Sequence, residues 1–369
     1  MSKNCGKVKT INVMKILYLM HVNWNWIKQR PHFIAEYLQE KGCEVDVYYP
    51  KAYNKKKLVS NSAVVKSIHS FPRLPFEKYS LIKKINKKIY SMFIRMVLKK
   101  NKYDYVYITH PNCFFDGITA KIIYDCMDDC AEFPMTDQKR KTVWETENQL
   151  LRQSSIVLFS AEHLSETVRK RSGITPPIFK TVNNAINLTV SKKVSFPQRN
   201  IKMDSKLILT YIGTISEWFD FDLLKKVQDL YKDRQIVFNL YGPCEKTYNF
   251  DFVNFKGLVK HEMIFDIMAE SDVLIMPFVV NDLIKSVNPV KLYEYIYSGK
   301  PVISVKYSET EKFGEYVYLY DNNNPESFVE QLNLIKENNY QGKADIQKAR
   351  QFVENNTWSH RVDEIMKLM

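Results

Sequence analysis

The chain has 369 residues, 45% of them hydrophobic and 26% charged, with only 10 glycines. That length allows two domains, and that composition excludes a disordered, collagen-like or linker-rich protein. Lys and Arg outnumber Asp and Glu by 54 to 41, a net charge of +13, which favours an anionic partner: nucleic acid, an anionic bilayer surface or a phosphorylated substrate.

In chain order, MSKNCGKVKTINV (1–13) lacks the apolar core of a signal peptide, and no apolar run reaches transmembrane length. MKILYLM (14–20) predicts a buried strand. QRPHFIAEYLQEKG (29–42) predicts a helix stopped by Gly42, and EVDVYYP (44–50) a second strand. EKYSLIKKINKKIYSMFIRMVLKKNKY (77–103) predicts a basic helix. Ile82, Ile85, Ile89, Met92 and Met96 form its apolar stripe, and Lys83, Lys84, Lys87, Lys88, Arg95, Lys99 and Lys100 its charge. Such a helix either lies on an anionic membrane or packs on a sheet of its own domain. DYVYIT (104–109), KIIYDC (121–126) and SIVLFS (155–160) read as further strands. Residues 183–205 are polar, carry Pro197 and have weak periodicity, which suits a domain linker.

The rhythm then restarts. LILTYIG (207–213), IVFNLYG (236–242), VNFKG (253–257), DVLIMPF (272–278) and PVISV (301–305) predict strands. Helices are expected at 220–233, 261–271, after Asn288–Pro289, and from a Thr357 cap to the end. Strands alternating with helices argue for α/β units with parallel sheets wound on both faces. The expected layout is a first domain over 1–190 and a second over 191–355, facing each other across a cleft. Ligands of such sheets bind beyond the carboxyl ends of the strands. The six cysteines are scattered, without a paired zinc spacing, and read as reduced cytosolic thiols.

Several chemistries are excluded by what is missing. The first strand is followed by HVNWNWIKQRP and not by G-x-G-x-x-G, and neither G-x-x-x-x-G-K-[ST] nor G-x-S-x-G occurs. One stretch does carry chemistry, NPVKLYEYIYSGKPVIS (288–304). A helix N-terminus there would offer free N–H groups to a diphosphate, and Lys291 would add a full charge. Glu294, one turn on, could accept two hydrogen bonds from a ribose diol. An ordinary surface ion pair fits the same spacing equally well.

The segment DVLIMPFVVNDLIKSVNPVKLYEYIYSGKPVIS (272–304) resembles the sugar-nucleotide-binding region of family 4 of the retaining GT-B glycosyltransferases. That region runs as an apolar strand, a Pro, a variable loop and then P-x-K-x-x-E-x-x-x-x-G-x-P-V-[IV]. YIGTI (211–215) is similar to the family's Gly turn, and VNNAINL (182–188) to its junction signature. The last helix, 356–369 with Trp358, resembles the one that crosses back to the first domain. The resemblance implies that Glu294 holds the donor ribose and that Lys291 lies beside the nucleotide. It implies that Asn288, Pro289 and Val290 present backbone N–H groups, and that Gly213 and Thr214 lie under the diphosphate. Two features depart from the family. Ser286 stands where a second Glu is usual, a hydroxyl that could still bond the transferred sugar. The basic pair after the Gly turn is also absent, and Arg30 or Lys285 is the expected substitute.

For the first domain, Trp24, Trp26, Arg30 and His32 follow the first strand. The aromatic faces suit sugar rings and Arg suits phosphate, although Trp packing on the sheet edge is the plain alternative. Asp125, Asp128 and Asp129 end another strand. Asp128, Asp129 and His110 are the candidate catalytic groups, to orient or deprotonate an acceptor hydroxyl, with helix capping the alternative for the acids. The expectation is a retaining transfer from a nucleotide-sugar donor, UDP-sugar favoured, to a glycan or lipid-linked acceptor in surface polysaccharide (capsule) biosynthesis. No metal or other cofactor is expected. The protein would be cytoplasmic, touching the inner face of the membrane through 77–103. A GT-B sugar-nucleotide epimerase and a basic nucleic-acid-binding protein are the competing readings; no RNP strand, KH loop or zinc finger supports the latter, so no nucleic acid is expected.

Overall fold

A computed structural model describes residues 13–51, 64–76, 79–188, 206–244 and 246–369. The amino-terminal segment with Cys5, the first two residues of the predicted basic helix, most of the predicted linker with Pro197, and the boundary at 190 lie outside the described residues. The chain divides into two compact units. The first comprises 1–127, 141–158 and 174–180, and the second 128–140, 159–173 and 181–369.

Among its described residues the first unit holds seven strands: β1 (Lys15–Leu19), β2 (Glu44–Pro50), β3 (Ser67–Phe71), β4 (Tyr105–Ile108), β5 (Lys121–Cys126), β6 (Ser154–Phe159) and β7 (Ile178–Thr181). Their order is β3-β2-β1-β4-β5-β6-β7. The pairings among β1 to β5 are parallel, with Ile16 opposite both Val45 and Tyr105. β1 and β4 are buried along nearly their whole length, as central parallel strands covered on both faces must be. Helix α1 (Arg30–Glu40) starts with Pro31 in its first turn and ends before Gly42, whose φ of 94° is the left-handed stop the sequence predicts.

Helix α2 (Ser80–Lys100) is the predicted basic helix, but its apolar stripe is not the predicted one. Asn86, Tyr90, Ile94 and Val97 are buried, whereas Met92 and Met96 are 61% and 48% exposed. The inner face follows Tyr90 and Ile94, one step round from the Ile–Met spacing. The two methionines therefore share the outer surface with Lys88, Arg95 and Lys99. Helix α3 (Asp137–Gln153) precedes β6, and helix α4 (Glu162–Ser172) follows it.

The second unit holds β8 (Leu207–Ile212), β9 (Ile236–Tyr241), β10 (Val253–Gly257), β11 (Val273–Met276), β12 (Val302–Val305) and β13 (Tyr318–Tyr320), in the order β10-β9-β8-β11-β12-β13. Every pair is parallel. Both sheets therefore share one winding: two strands to one side of the first, then the rest to the other. Each has its switch point beside its first strand, at β1/β4 and at β8/β11. Besides α4, which belongs to this unit, its helices are α5 (Phe221–Leu230), α6 (Ile264–Glu270), α7 (Asp282–Lys285), α8 (Val290–Ser298), α9 (Ser308–Glu311), α10 (Pro325–Glu337), α11 (Ile346–Glu354) and α12 (Trp358–Met366). Thr357 caps α12 as predicted, its hydroxyl accepting from the His360 N–H, and Trp358 is buried.

Three strands escape the sequence reading, β3, β7 and β13. The first two show mostly exposed or half-buried side chains and lack the buried run that marks a central strand, and β13 has three residues.

Candidate active site

The site in the second unit is built on the carboxyl end of β8. The Gly213 N–H donates to Tyr241 O at 2.8 Å, which sets the turn after β8 against the turn after β9. Gly242 follows with φ of 135°, and a Cβ there would lie 2.0 Å from the carbonyl oxygen of Gly213. A Cβ on Gly213 would in turn meet the Tyr211 hydroxyl at 2.5 Å. Two backbones touch, and glycine at both positions is what permits it. Gly242 read as a strand end in the sequence; its partnership with Gly213 is visible only once β8 and β9 pair. Thr214 is half-buried, and its carbonyl accepts from Tyr211 Oη.

Helix α8 is fastened to this turn. Tyr295, fully buried, accepts the Ile212 N–H on its hydroxyl at 2.8 Å. The helix ends at Gly299, φ 73°, where a Cβ would lie 2.0 Å from Ile346 Cδ1. Its entrance is Pro289, which makes no side-chain cap. The N–H groups of the first helical turn, at Val290 and Lys291, have no partner within the helix. Pro289 itself cannot be a donor, because its ring leaves no N–H, so that part of the expectation is corrected. Lys291 Nζ lies 2.7 Å from Glu294 Oε2, with the side chains 30% and 7% exposed. The surface-pair alternative is thus half right: the ion pair exists, but its carboxylate is nearly buried.

Asn288 is a hub. Its Oδ1 accepts from the Asn184 N–H at 3.0 Å, its Nδ2 donates to Glu309 Oε2 at 3.1 Å, and its carbonyl accepts from Asn184 Nδ2 at 2.7 Å. Glu309 is fully buried and also accepts from the Glu162 N–H and from Lys312 Nζ. Asn184 belongs to the VNNAINL signature; Glu309 had no signal in the sequence beyond being one acid in SETE. Ser286 is buried with its hydroxyl 3.2 Å from His163 Nδ1. Lys285 is half exposed and pairs with Asp282 at 3.0 Å.

Asp129, also in this unit, is buried and holds both Arg171 Nη1 contacts at 2.9 Å. It also accepts from the Ala131 N–H. A carboxylate so engaged anchors a loop and is not a free base, which corrects its catalytic assignment. Asp128 beside it is half-buried.

In the first unit the expected phosphate ligand, Arg30, is buried. Its Nε donates to both oxygens of Asp125 at 3.1 and 3.0 Å, and its Nη2 to Oδ1 at 2.8 Å. Asp125 is fully buried, and its charge, after burial itself, pushes the phenols of Tyr18 and Tyr107 up. Arg30 therefore neutralises a core carboxylate, and the phosphate role is corrected. Trp24 is also core, 3% exposed and 5.2 Å from the His32 ring, so it is no open sugar platform; Trp26 is half-buried. His32 Nδ1 accepts from the Gln29 N–H and its Nε2 lies 3.1 Å from Trp24 O, which fixes the Nε2–H form. Burial lowers its pKa to about 4. His110 is half-buried, its Nδ1 accepting from the Asn112 N–H at 2.9 Å. Burial, then Lys83, lowers its pKa to about 4.

Among the described residues no cluster of three or more His, Cys, Asp or Glu could hold a metal ion, and no helix is long and apolar enough to cross a membrane.

Residues 206–338, which run from β8 through α10 and include Gly213 and Glu294, match the family model of glycosyl transferases group 1. A Bacillus subtilis protein, TuaH, whose name assigns it to teichuronic acid biosynthesis as a glycosyltransferase, is 24% identical over 227 residues, covering 57% of this chain. The match likewise spans 57% of that relative's length, so somewhat over half of it. Among solved structures, sucrose-phosphate synthase from Thermosynechococcus elongatus aligns with a TM-score of 0.73 at 13% identity, covering 96% of this chain and 98% of that one. Anabaena HepE, solved in complex with UDP and glucose, aligns at 0.69 and 12% identity over 96% and 98%. WaaG, a glycosyltransferase involved in lipopolysaccharide biosynthesis, aligns at 0.69 and 13% identity over 96% and 99%. These likenesses establish the fold as GT-B, as the sequence led one to expect. The family segment contains every residue assigned above to the donor, Gly213, Thr214 and Lys285 to Glu294.

Proposed function

We propose that the protein is a glycosyltransferase that moves a sugar from a nucleotide-diphosphate donor, UDP-sugar favoured, to a glycan or lipid-linked acceptor in surface polysaccharide biosynthesis. The observation that carries this is the uncapped entrance of α8 with the nearly buried Glu294 one turn inside it, fastened through Tyr295 to the Gly213–Gly242 turn. Free N–H groups at a helix start and the Lys291 ammonium suit a diphosphate. The Glu294 carboxylate, which Lys291 pairs at Oε2, is an acceptor group of the kind that suits a ribose diol. Retention of configuration, with no bound metal or other cofactor, completes the reading. The relatives support it: one is named for teichuronic acid, one holds UDP and glucose. The test is calorimetry with UDP, GDP, ADP and their common sugars. One nucleotide should bind, and Glu294→Ala should lose it by about tenfold or more. Equal binding to both proteins overturns the assignment.

The same reading gives α2 a role. Leu81, Met92 and Met96 are 68%, 61% and 48% exposed on a helix whose outer face also carries Lys84, Lys88, Arg95 and Lys99. Apolar side chains among cations suit an anionic bilayer surface, where a lipid-linked acceptor resides. Sedimentation with anionic vesicles at low salt checks this. Failure to sediment, or sedimentation unchanged by Met92→Ser with Met96→Ser, removes the membrane from the reading.

A further inference from the structure

His21 follows β1 and His110 follows β4, so the topology sets both at the switch point of the first sheet, where open α/β sheets take ligands. Their rings lie 4.9 Å apart and both are half-buried. The groups that meet each Nδ1 bear on which nitrogen carries the proton. His110 Nδ1 accepts from the Asn112 N–H, a group that can only donate, so in the neutral ring the proton is on Nε2. Thr109 Oγ1 lies 2.9 Å from His21 Nδ1 and 3.2 Å from Leu19 O. It also accepts from the His21 N–H at 3.2 Å, and we take its own proton to point at Leu19 O. It then accepts from His21 Nδ1–H, which leaves His21 Nε2 bare. Burial keeps both rings neutral, with pKa values lowered to about 3 and about 4. The neighbouring His110 and His32 act on His21 in the same direction, and Lys83 on His110.

With ring centroids 4.9 Å apart, the pair thus offers one donor and one acceptor nitrogen on neighbouring rings. A hydroxyl needs that complement, since it donates and accepts at once; a phosphate or carboxylate has no proton for His21. We propose that His21 and His110 form a hydroxyl-binding pair at the β1/β4 switch point and that its ligand is a sugar or similar polyol. On the transferase reading above, on which the identity of the ligand rests, this is a positioning site for a hydroxyl of a reacting sugar, and His21 is its new member.

The test uses the full chain with 15N-labelled histidine at pH 7. His110 should show a bare Nδ1 and His21 a protonated one. Methyl glucoside, methyl galactoside and N-acetylglucosamine are then titrated into the millimolar range. At least one should shift both rings. His21→Phe and His110→Phe should each weaken that sugar about tenfold while UDP affinity holds. Glu294→Ala should do the reverse, losing UDP and keeping the sugar. The same tautomer on both rings, or no ring shift with any of the three sugars, overturns the proposal. If UDP fails to bind while a sugar shifts the rings, the nucleotide reading falls and the polyol site stands.

Discussion

Replacing Arg30 with Met separates a phosphate ligand from a core ion pair. The guanidinium makes three hydrogen bonds of 2.8 to 3.1 Å to Asp125, and the two side chains are 2% and 0% exposed. Removing the cation leaves a buried carboxylate with the phenols of Tyr18 and Tyr107 for company, and breaking such a pair costs about 3–5 kcal/mol. For a folding unit of this size, each kcal/mol lowers the melting temperature by about 2–4 °C, so Arg30→Met should melt roughly 6–20 °C lower. Arg30→Met combined with Asp125→Asn should be more stable than the sum of the two single losses by at least ~1 kcal/mol, because the stranded charge is gone. Urea unfolding of the four proteins measures this, and calorimetry with UDP on the folded Arg30→Met protein completes it. UDP should bind as before. A variant that keeps its stability but loses the nucleotide would refute the reasoning and restore Arg30 to the phosphate.

Two further outcomes are expected. His21 and His32 have folded pKa values lowered to about 3 and about 4. Their stabilising effect is complete well above the unfolded value near 6.5 and is lost as pH falls, by about 1.6 kcal/mol per ring between pH 6.5 and 5; unfolding free energies that are flat over that interval would contradict this. Gly242→Ala should lose more than ~2 kcal/mol and weaken nucleotide binding, because its Cβ would strike Gly213 O. Gly42→Ala, with φ of 94° and open space around it, should cost only about 1 kcal/mol in the same unfolding assay, and equal losses would show that backbone conformation alone sets the effect.

The central strands were legible because parallel strands covered on both faces must be apolar throughout: LYLM, YVYI and VLIM announce themselves. The edges were not, since a strand such as IFKT with little to bury carries no such run. The α8 motif was legible because a helix start, a carboxylate one turn on and a Gly stop are local features. Its supports were not. Tyr295 reaches Ile212, Asn288 reaches Glu309, and Gly242 meets Gly213, and each contact joins residues that the sequence separates by 20 or more positions. Charge was the least legible property. Arg30, Asp125 and Asp129 looked like site groups because charged residues at strand ends are costly unless used. The structure uses them against one another and against Arg171, a satisfaction that sequence spacing cannot display.

The two departures from the family pattern belong together on electrostatic grounds. Around the α8 entrance the unit already buries the carboxylates of Glu294 and Glu309, which pair with Lys291 and Lys312. A third carboxylate at position 286, where the side chain is 1% exposed, would have the His163 ring as its neighbour and would need a cation of its own. The turn after β8 supplies none: Ser216, Glu217 and Trp218 stand there, and Glu217 is itself paired with Lys246. With fewer fixed cations, a serine at 286 is the side chain that this interior can bury without a stranded charge.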